Sequence, residues 1–319
     1  MNYLENRSQF TIVNGEHSNT ERVNCGVPQG SLYGPRLFSI FSNDLPDQQD
    51  FGETEMFADD TTPYCIADTY DNSFLILKDL ITQTENWAVK NRIHIHPEKS
   101  SIMFLSRITF VGPYPRFTLK YHDVQIVQSM KCLGIKIDNK LNWSSHISYV
   151  SKNFIAKFKK LYELRSCQTH HLKSIYLKGV LPTVLYCIAI WGSCNDNMMQ
   201  SLEKIHIRAA RFICRLKKNI PNSDVLEKCK WKPLSYYYKK RLACIAHSIY
   251  YESAPRPLLD IMVKKHNTRN TRNNIAFGIP KFKTLNYKHH IPIQSHCVCI
   301  LQSGYQSLKQ WPELRPVVA

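Results

Sequence analysis

The sequence predicts an α+β fold, with strands and helices mixed in its front part and helices alone behind it. Three observations carry this reading. Tight-turn signals between short β-prone runs crowd the first 140 residues, helical periodicity takes over after Asn142, and the segment 262–295 is basic, rich in Asn, Lys and His, and broken by prolines. The 319 residues are enough for one large or two ordinary domains, and 43% hydrophobic with 21% charged residues is a folding composition.

Taken in order, QFTIVNGEHSNTERV reads as extended chain turning at Asn14-Gly15, a tight-hairpin signal. GVPQGS, residues 26–31, is a Gly/Pro-punctuated loop, and Leu37 to Leu45 has helical spacing. In TEMFADDTTPYCI, residues 54–66, two β-prone runs flank Ala-Asp-Asp, predicting a hairpin with acids at its tip. Phe74, Leu77, Ile81, Thr84 and Trp87 fall near one face of a helix over 70–91. Residues 93–105 read as two extended pieces around Pro97, and residues 123–138 as another hairpin. Segments 144–165, 169–191, 197–216 and 235–251 suit helices, which puts a boundary near 140–145. The most apolar stretch, Val180 to Trp191, is short and carries Pro182, so it predicts a buried helix rather than a membrane span.

Charge points to a class of partner. Lys and Arg number 42 against 25 Asp and Glu, a formal net charge of +17. A field of that sign concentrates polyanions, and nucleic acid is the first candidate because each neutralised phosphate releases counterions. A merely basic surface and a membrane-surface protein remain alternatives on charge alone. The 11 cysteines are odd in number and scattered singly, and MNYLENRSQF has no apolar signal-peptide core. These features predict reduced thiols in an intracellular protein of nucleus or cytoplasm, with no disulfide-linked partner.

Asp59 and Asp60 are the pair that asks for chemistry. Adjacent carboxylates repel and raise each other's pKa unless a positive charge sits beside them. Hard oxygen donors of this kind suit Mg²⁺, which takes one or two carboxylates plus substrate phosphates. On the dipeptide alone an exposed turn is the plainer reading.

The neighbours reverse it. GVPQGS is followed by Gly34-Pro35-Arg36-Leu37-Phe38, then Asn43-Asp44-Leu45-Pro46, then Phe57-Ala58-Asp59-Asp60-Thr61. This order resembles the palm of reverse transcriptases from jockey-like and related non-LTR (LINE-type) retrotransposons. The likeness continues through NRIHIHPEKSSIMF, Leu133-Gly134, Leu141-Asn142-Trp143, LPTVLYCIAIWG and LEKIHIRAARFIC, covering about residues 3–215. It implies a partial right-hand polymerase palm over 1–142, antiparallel sheet with packed helices. An all-α thumb and connection over 143–255 and a basic, mostly irregular tail over 256–319 would follow.

The resemblance also implies roles. Asp59 and Asp60 would hold two Mg²⁺ ions, and Lys99 would stabilise phosphate charge or donate a proton. Pro28, Gln29 and Gly30 would line the pocket of the incoming dNTP, and Leu133 and Gly134 would contact the primer strand. Lys157, Lys159, Lys160, Arg208, Arg211 and Arg215, with Lys217 and Lys218, would track an RNA template–DNA primer duplex, the template being the element RNA. Each of these basic residues also reads as a solvated helix face.

Departures are expected to matter. Family members place their first catalytic aspartate on a palm strand well before the GVPQGS box, and the 25 residues before Gly26 contain none. The chain alone is therefore expected to have little or no RNA-directed DNA polymerase activity, as a truncated element copy or partial gene model would. A non-catalytic nucleic-acid-binding remnant and a transposon fossil are the competing readings. Tyr33 and Arg36 replace the small aliphatic and leucine of the family pattern. His289, His290, His296, Cys297 and Cys299 raise zinc, but Cys-x-Cys is not the spacing of structural zinc sites, and an ordinary basic tail is expected.

Overall fold

The computed structural model describes residues 3–23, 26–28, 30–50, 52–106, 110–261, 264–266, 275–277 and 297–304. The fold is a mixture of helices and small sheets in two compact units, residues 1–130 with 295–319, and residues 131–294.

The first unit opens with β1 (Arg7–Gln9), β2 (Ile12–Val13), β3 (Glu16–His17) and β4 (Glu21–Val23), with β2 and β3 paired inside the β1–β4 ladder. Val13 faces Glu16, so Asn14 and Gly15 alone make the turn, at φ 53° and 89°. Two left-handed residues are what a two-residue primed turn requires, and Asn-Gly is the pair that tolerates it. α1 (Gly34–Ser42) starts with Pro35 in its first turn, where the missing N–H costs nothing. A 3₁₀ turn over Pro46–Gln48 leads to the hairpin β5 (Glu53–Phe57) and β6 (Asp60–Ala67).

α2 (Tyr70–Lys90) follows, with the Thr69 hydroxyl accepting the Asn72 N–H at 3.2 Å as its N-cap. Leu77, Leu80, Ile81, Thr84 and Trp87 form its buried stripe. The Trp87 indole N–H donates to Asp44 at 3.0 Å, and Leu45 beside it is fully buried. The Asn-Asp-Leu-Pro motif is thus a clip that docks the chain after α1 onto α2. A 3₁₀ turn over Pro97–Lys99 precedes β7 (Ser101–Leu105), then β8 (Thr118–Leu119), β9 (His122–Asp123) and β10 (Gln125–Ile126).

The second unit begins within the hairpin β11 (Ser129–Cys132) and β12 (Ile135–Asp138), at Lys131, and runs through α3 (Ser144–Glu163), α4 (Thr169–Ile175), α5 (Leu181–Leu185), α6 (Ile188–Trp191), α7 (Asp196–Ile213), α8 (Asn222–Lys228), α9 (Leu234–Tyr250) and α10 (Arg256–Ile261). In α3, His146, Ile147, Val150, Phe154, Phe158 and Leu161 are buried at helical spacing. They pack with Leu172, Tyr176, Trp191, Leu202, Ile213, Trp231 and others into a single core. Two short strands, β13 (Lys264–His266) and β14 (Ile275–Phe277), pair antiparallel. The chain then returns to the first unit as β15 (Cys297–Gly304).

β15 completes a five-stranded sheet of order β10-β7-β15-β6-β5. It runs antiparallel to both β6 and β7. α2 covers one face, and its stripe joins Cys65, Ile102, Phe104, Phe117 and Leu119 in the unit's core.

Three expectations need amending. The hairpin predicted over 123–138 is confined to β11 and β12, because β10 pairs parallel with β7 instead, with the Val127 N–H donating to the Ile102 carbonyl. The helix predicted over 169–191 is broken. Tyr176–Val180 widens into a π turn ahead of Pro182, and Cys187 adopts φ 50° between α5 and α6. Proline cannot supply the N–H that a continuing helix needs, so the break falls where the sequence places it. Within the tail predicted to be mostly irregular, the described residues include β13, β14 and the central strand β15, whose Val298-Cys299-Ile300-Leu301 run is β-prone. Among the described residues no helix is long and apolar enough to cross a membrane.

Candidate active site

The acidic tip is built by the register of the hairpin. Phe57 faces Asp60, so Ala58 and Asp59 are the two turn residues, and Ala58 takes φ 54°. The two carboxylates therefore stand on successive residues at one end of the sheet, both half-buried. Asp60 is held above the ordinary carboxylate range, first by burial and then by the charge of Asp59. Two half-buried carboxylate groups fit a hard divalent ion that draws its other ligands from phosphate oxygens and water. Among the described residues no group of three or more His, Cys, Asp or Glu gathers at one point.

Lys99 is exposed and closes the 3₁₀ turn just before β7. β15 links it to the tip. Gln302 faces Ser101 of β7 while Gly304 faces Asp60 of β6, so β6 and β7 both start at the same end of the sheet. Lys99 stands at that end, about two strand spacings, ~10 Å, across from Asp60. A lysine side chain covers much of that span.

The loop before α1 is shaped by Ser31. Its hydroxyl donates to the Pro28 carbonyl at 2.7 Å and accepts the Gly34 N–H at 3.0 Å. Gly30 takes φ 75° with open space around its Cα, a conformation that leaves backbone accessible to a ligand. Gln29 lies outside the described residues. Among the described residues no strand pairing joins this loop to the acidic tip.

The second unit carries the other sequence-predicted residues. Leu133 and Gly134 form the β11–β12 turn at φ 44° and 87°. The Tyr186 hydroxyl donates to the Leu133 carbonyl at 2.7 Å, and a Cβ on Gly134 would meet the Tyr186 ring at 3.3 Å. The turn borders an open groove of about 350 Å³ lined by Tyr149, Lys157, Gly179, Thr183 and Tyr186. Lys157 donates to the Thr183 hydroxyl at 2.7 Å. Lys131 and Lys136 stand over the Tyr149 ring, 5.8 and 5.3 Å from its centre. Tyr149, Tyr186, Lys131 and Lys136 are functional candidates that the sequence reading missed. The signal available for them was aromatic residues interleaved with lysines on both sides of the Leu-Gly turn.

The basic helix residues divide. Lys159, Lys160 and Arg208 are exposed. Arg211 is committed within the protein, donating to the Lys217 and Ile220 carbonyls, each at 2.7 Å, and to Asn222 at 2.9 Å. Arg215 donates to the Cys167 carbonyl at 3.1 Å. Of the zinc candidates, His289, His290 and His296 lie outside the described residues, and Cys297 and Cys299 are strand residues of β15.

Comparison with known proteins gives these residues a context. Residues 2–137 match the family described as reverse transcriptase (RNA-dependent DNA polymerase). Over 230 residues the chain is 27% identical to the RNA-directed DNA polymerase from mobile element jockey of Drosophila melanogaster, a match covering 67% of this chain and 24% of that protein. It is 30% identical over 227 residues to the probable RNA-directed DNA polymerase from transposon X-element of the same species, covering 66% of this chain and 24% of the relative. A third relative, the probable RNA-directed DNA polymerase from transposon BS, is 26% identical over 222 residues, again 66% and 24% of the two chains. The chain thus spans about a quarter of the length of these curated relatives. Residues 2–137 thus carry a reverse transcriptase domain match, and over about two thirds of its length the chain is similar to the polymerases of jockey and other non-LTR mobile elements.

Proposed function

We propose that this chain supplies the acidic hairpin, the nucleotide loop and the duplex-holding helices of a non-LTR reverse transcriptase, with residues 1–142 as palm and 143–255 as thumb. The observation that carries the reading is the tip Asp59-Asp60, a half-buried carboxylate pair with Asp60 held above its ordinary range, inside a segment that matches this family.

Reverse transcriptases as a family use divalent metal ions, and Asp59 and Asp60 are the residues here that would hold Mg²⁺. When bound, such ions lower the charge barrier between a primer 3′-hydroxyl and the incoming nucleotide. The reaction forms a bond from that hydroxyl oxygen to the α-phosphorus of a dNTP and breaks the α–β phosphoanhydride, releasing pyrophosphate. Lys99, at the same end of the sheet, would face the phosphate charge. Pro28, Gln29 and Gly30 would bound the nucleotide. Leu133, Gly134 and the groove beside them would take the primer backbone, and Lys159, Lys160 and Arg208 the duplex phosphates. Arg211 and Arg215 are better read as braces of the helical unit, given the carbonyls they hold.

A pair of carboxylates is a sparse donor set for two ions. The 319-residue polypeptide is therefore expected to bind duplex yet extend a primer poorly or not at all. Primer extension on poly(rA)/oligo(dT) with Mg²⁺, beside an Asp59→Ala control, tests this. Incorporation that the control abolishes would mean that another carboxylate of this chain completes the site. Salt-sensitive duplex binding without incorporation supports the proposal as stated. Neither incorporation nor salt-sensitive binding would reject it.

A further inference from the structure

The central strand of the five-stranded sheet comes from an unexpected place. β6 and β7 do not pair with each other. β15 lies between them, although 191 residues separate the end of β7 from its start and the whole second unit intervenes. At Val298, Cys299 and Ile300 both edges of β15 are used, facing Ile66, Cys65 and Tyr64 of β6 and Leu105, Phe104 and Met103 of β7. Without it the sheet falls into the β5–β6 hairpin and the two-residue parallel pair of β7 with β10. An isolated hairpin is marginal in water, and Ile102, Met103, Phe104 and Leu105 of β7 are all buried.

The two ladders of β15 differ. The one with β7 is continuous from Val298 to Gln302. The one with β6 holds from Cys297 to Ile300, skips Leu301 and Gln302, and resumes at Ser303 and Gly304. The skipped residues stand opposite Pro63 and Thr62, whereas the ladder of β6 with β5 runs unbroken through Pro63. Proline within sheets belongs on edge strands, with its missing N–H on the unpaired side. β6 therefore has the sequence of an edge strand on the side that β15 covers. The other neighbour of β15, β7, presents an edge of ordinary composition.

We propose that the gap between β6 and β7 is a strand-binding slot. It takes an extended apolar segment antiparallel to both walls, and Cys297–Gly304 is its intramolecular, exchangeable occupant. Binding of this kind takes its affinity from main-chain hydrogen bonds along two edges and from alternate side chains set into the sheet faces. The occupant is joined to β7 only through 191 residues that include the whole second unit, so its place in the sheet rests on pairing between segments far apart in the chain. The slot stands whatever chemistry the acidic tip performs, although it ends there, with Gly304 facing Asp60.

The test uses the full chain. Ile300→Pro removes an N–H and a ladder residue from the middle of the occupant, at a position whose partners are Tyr64 and Met103. Hydrogen exchange is then followed in β6, β7 and α7, with and without a synthetic peptide of residues 295–306. The expected result is exchange at least about tenfold faster in Thr61–Ala67 and Ser101–Leu105, unchanged protection in α7, and restoration by the wild-type peptide but not by a peptide carrying the same proline. Unchanged exchange in β6 and β7 would overturn the proposal, because that strand would not be filling the slot. Faster exchange that no peptide reverses would also overturn it, because the strand would be a fixed part of the fold.

A second measurement reads the register in the unaltered protein. Cys299 is the cross-strand partner of Cys65, and paired antiparallel positions fall within disulfide range. Copper–phenanthroline in air, with oxygen taking the two electrons and two protons of the thiols, should link Cys65 to Cys299. A link from Cys65 to any other cysteine would contradict the placement.

Discussion

Acidification should weaken the helical unit through one histidine, and the size of the effect can be worked from its surroundings. His206 of α7 is 1% exposed. Its Nδ1 is 2.6 Å from the Tyr176 hydroxyl and its Nε2 is 3.1 Å from the Lys232 carbonyl. A carbonyl only accepts, so the proton sits on Nε2 and Nδ1 accepts from tyrosine, which makes the ring neutral. Burial pushes His206 down from 6.5 to about 4, with the Lys232 carbonyl pulling weakly the other way. A folded-state pKa below the unfolded one means that the unfolded chain takes up the proton first as pH falls. The stabilisation is therefore fully present above about pH 6.5 and is lost on the way down to about pH 4. At about 1.4 kcal/mol per pH unit, the window is worth about 3 kcal/mol.

The assay is urea unfolding at several pH values, followed by tryptophan fluorescence. Trp231 reports on the site directly, stacked on Tyr176 at 4.8 Å between ring centres. The comparison is with His206→Gln, because other groups titrate too. Glu203, raised by burial, works in the opposite sense, and His146, lowered by burial and by Lys136, works in the same sense. Both are present in both proteins and cancel in the difference. The variant should be the less stable at pH 7.5, and the gap should close by about 3 kcal/mol as pH falls to 4. A gap independent of pH would refute the reasoning, because it would mean that His206 titrates alike in the folded and unfolded chains.

Four further outcomes follow from named residues. Asp138→Ala removes the acceptor of the Lys140, Asn142 and Trp143 N–H groups, so denaturation should show a loss of about 3 kcal/mol, and Asp138→Asn should recover part of it. Gly134→Val puts a branched side chain at φ 87° against the Tyr186 ring, and should cost about 1–2 kcal/mol of stability together with a fall in template–primer affinity measured by filter binding. Lys160→Ala should leave stability within about 0.5 kcal/mol and reduce the slope of log affinity against log salt by about 1. Arg211→Ala should do the reverse, lowering the melting temperature with little change in that slope, because its guanidinium already holds three acceptors of the protein.

What could be read from the sequence was local. Asn14-Gly15 fixed a primed turn because the dihedrals it needs are allowed to few residues, and the apolar stripe of α2 follows from a period that needs no partner. The place of Asp59 and Asp60 at a hairpin tip was legible because two β-prone runs flank them, and the pairing of Phe57 with Asp60 sets that tip. Pairings between distant segments were not legible. Nothing in Val298-Cys299-Ile300-Leu301 says which strands it will lie between, since a short apolar β-prone run fits any open edge. Arg211 and Lys160 look alike in sequence as basic helix residues. Only the loop that passes Arg211 separates a brace from a solvated charge. The break at Tyr186–Cys187 was half legible, with Pro182 as its marker and the left-handed Cys187 as the part that tertiary packing decides.

The acidic tip can be tested as a cation site without any turnover. Asp60 is raised first by burial and second by Asp59. A carboxyl raised in the folded state stabilises the fold below its unfolded pKa and loses that contribution as pH rises through the folded value. At neutral pH the tip is therefore a local liability, and the liability is what a cation removes. Asp59→Asn should lower the Asp60 titration only in part, because burial remains as the larger cause, whereas Mg²⁺ or Mn²⁺ should lower it further in the wild type than that substitution does. Carboxyl NMR titration of Asp60, with and without Mg²⁺, distinguishes the two. An ordinary exposed turn would show the same Asp60 curve with Mg²⁺ as with an equal ionic strength of Na⁺, since screening alone does not discriminate between cations at a site with no fixed geometry. A shift specific to the divalent ion, lost in Asp59→Asn, would show that the two carboxylates act as one ligand. That would make the tip a metal-binding feature even in a polypeptide that extends no primer.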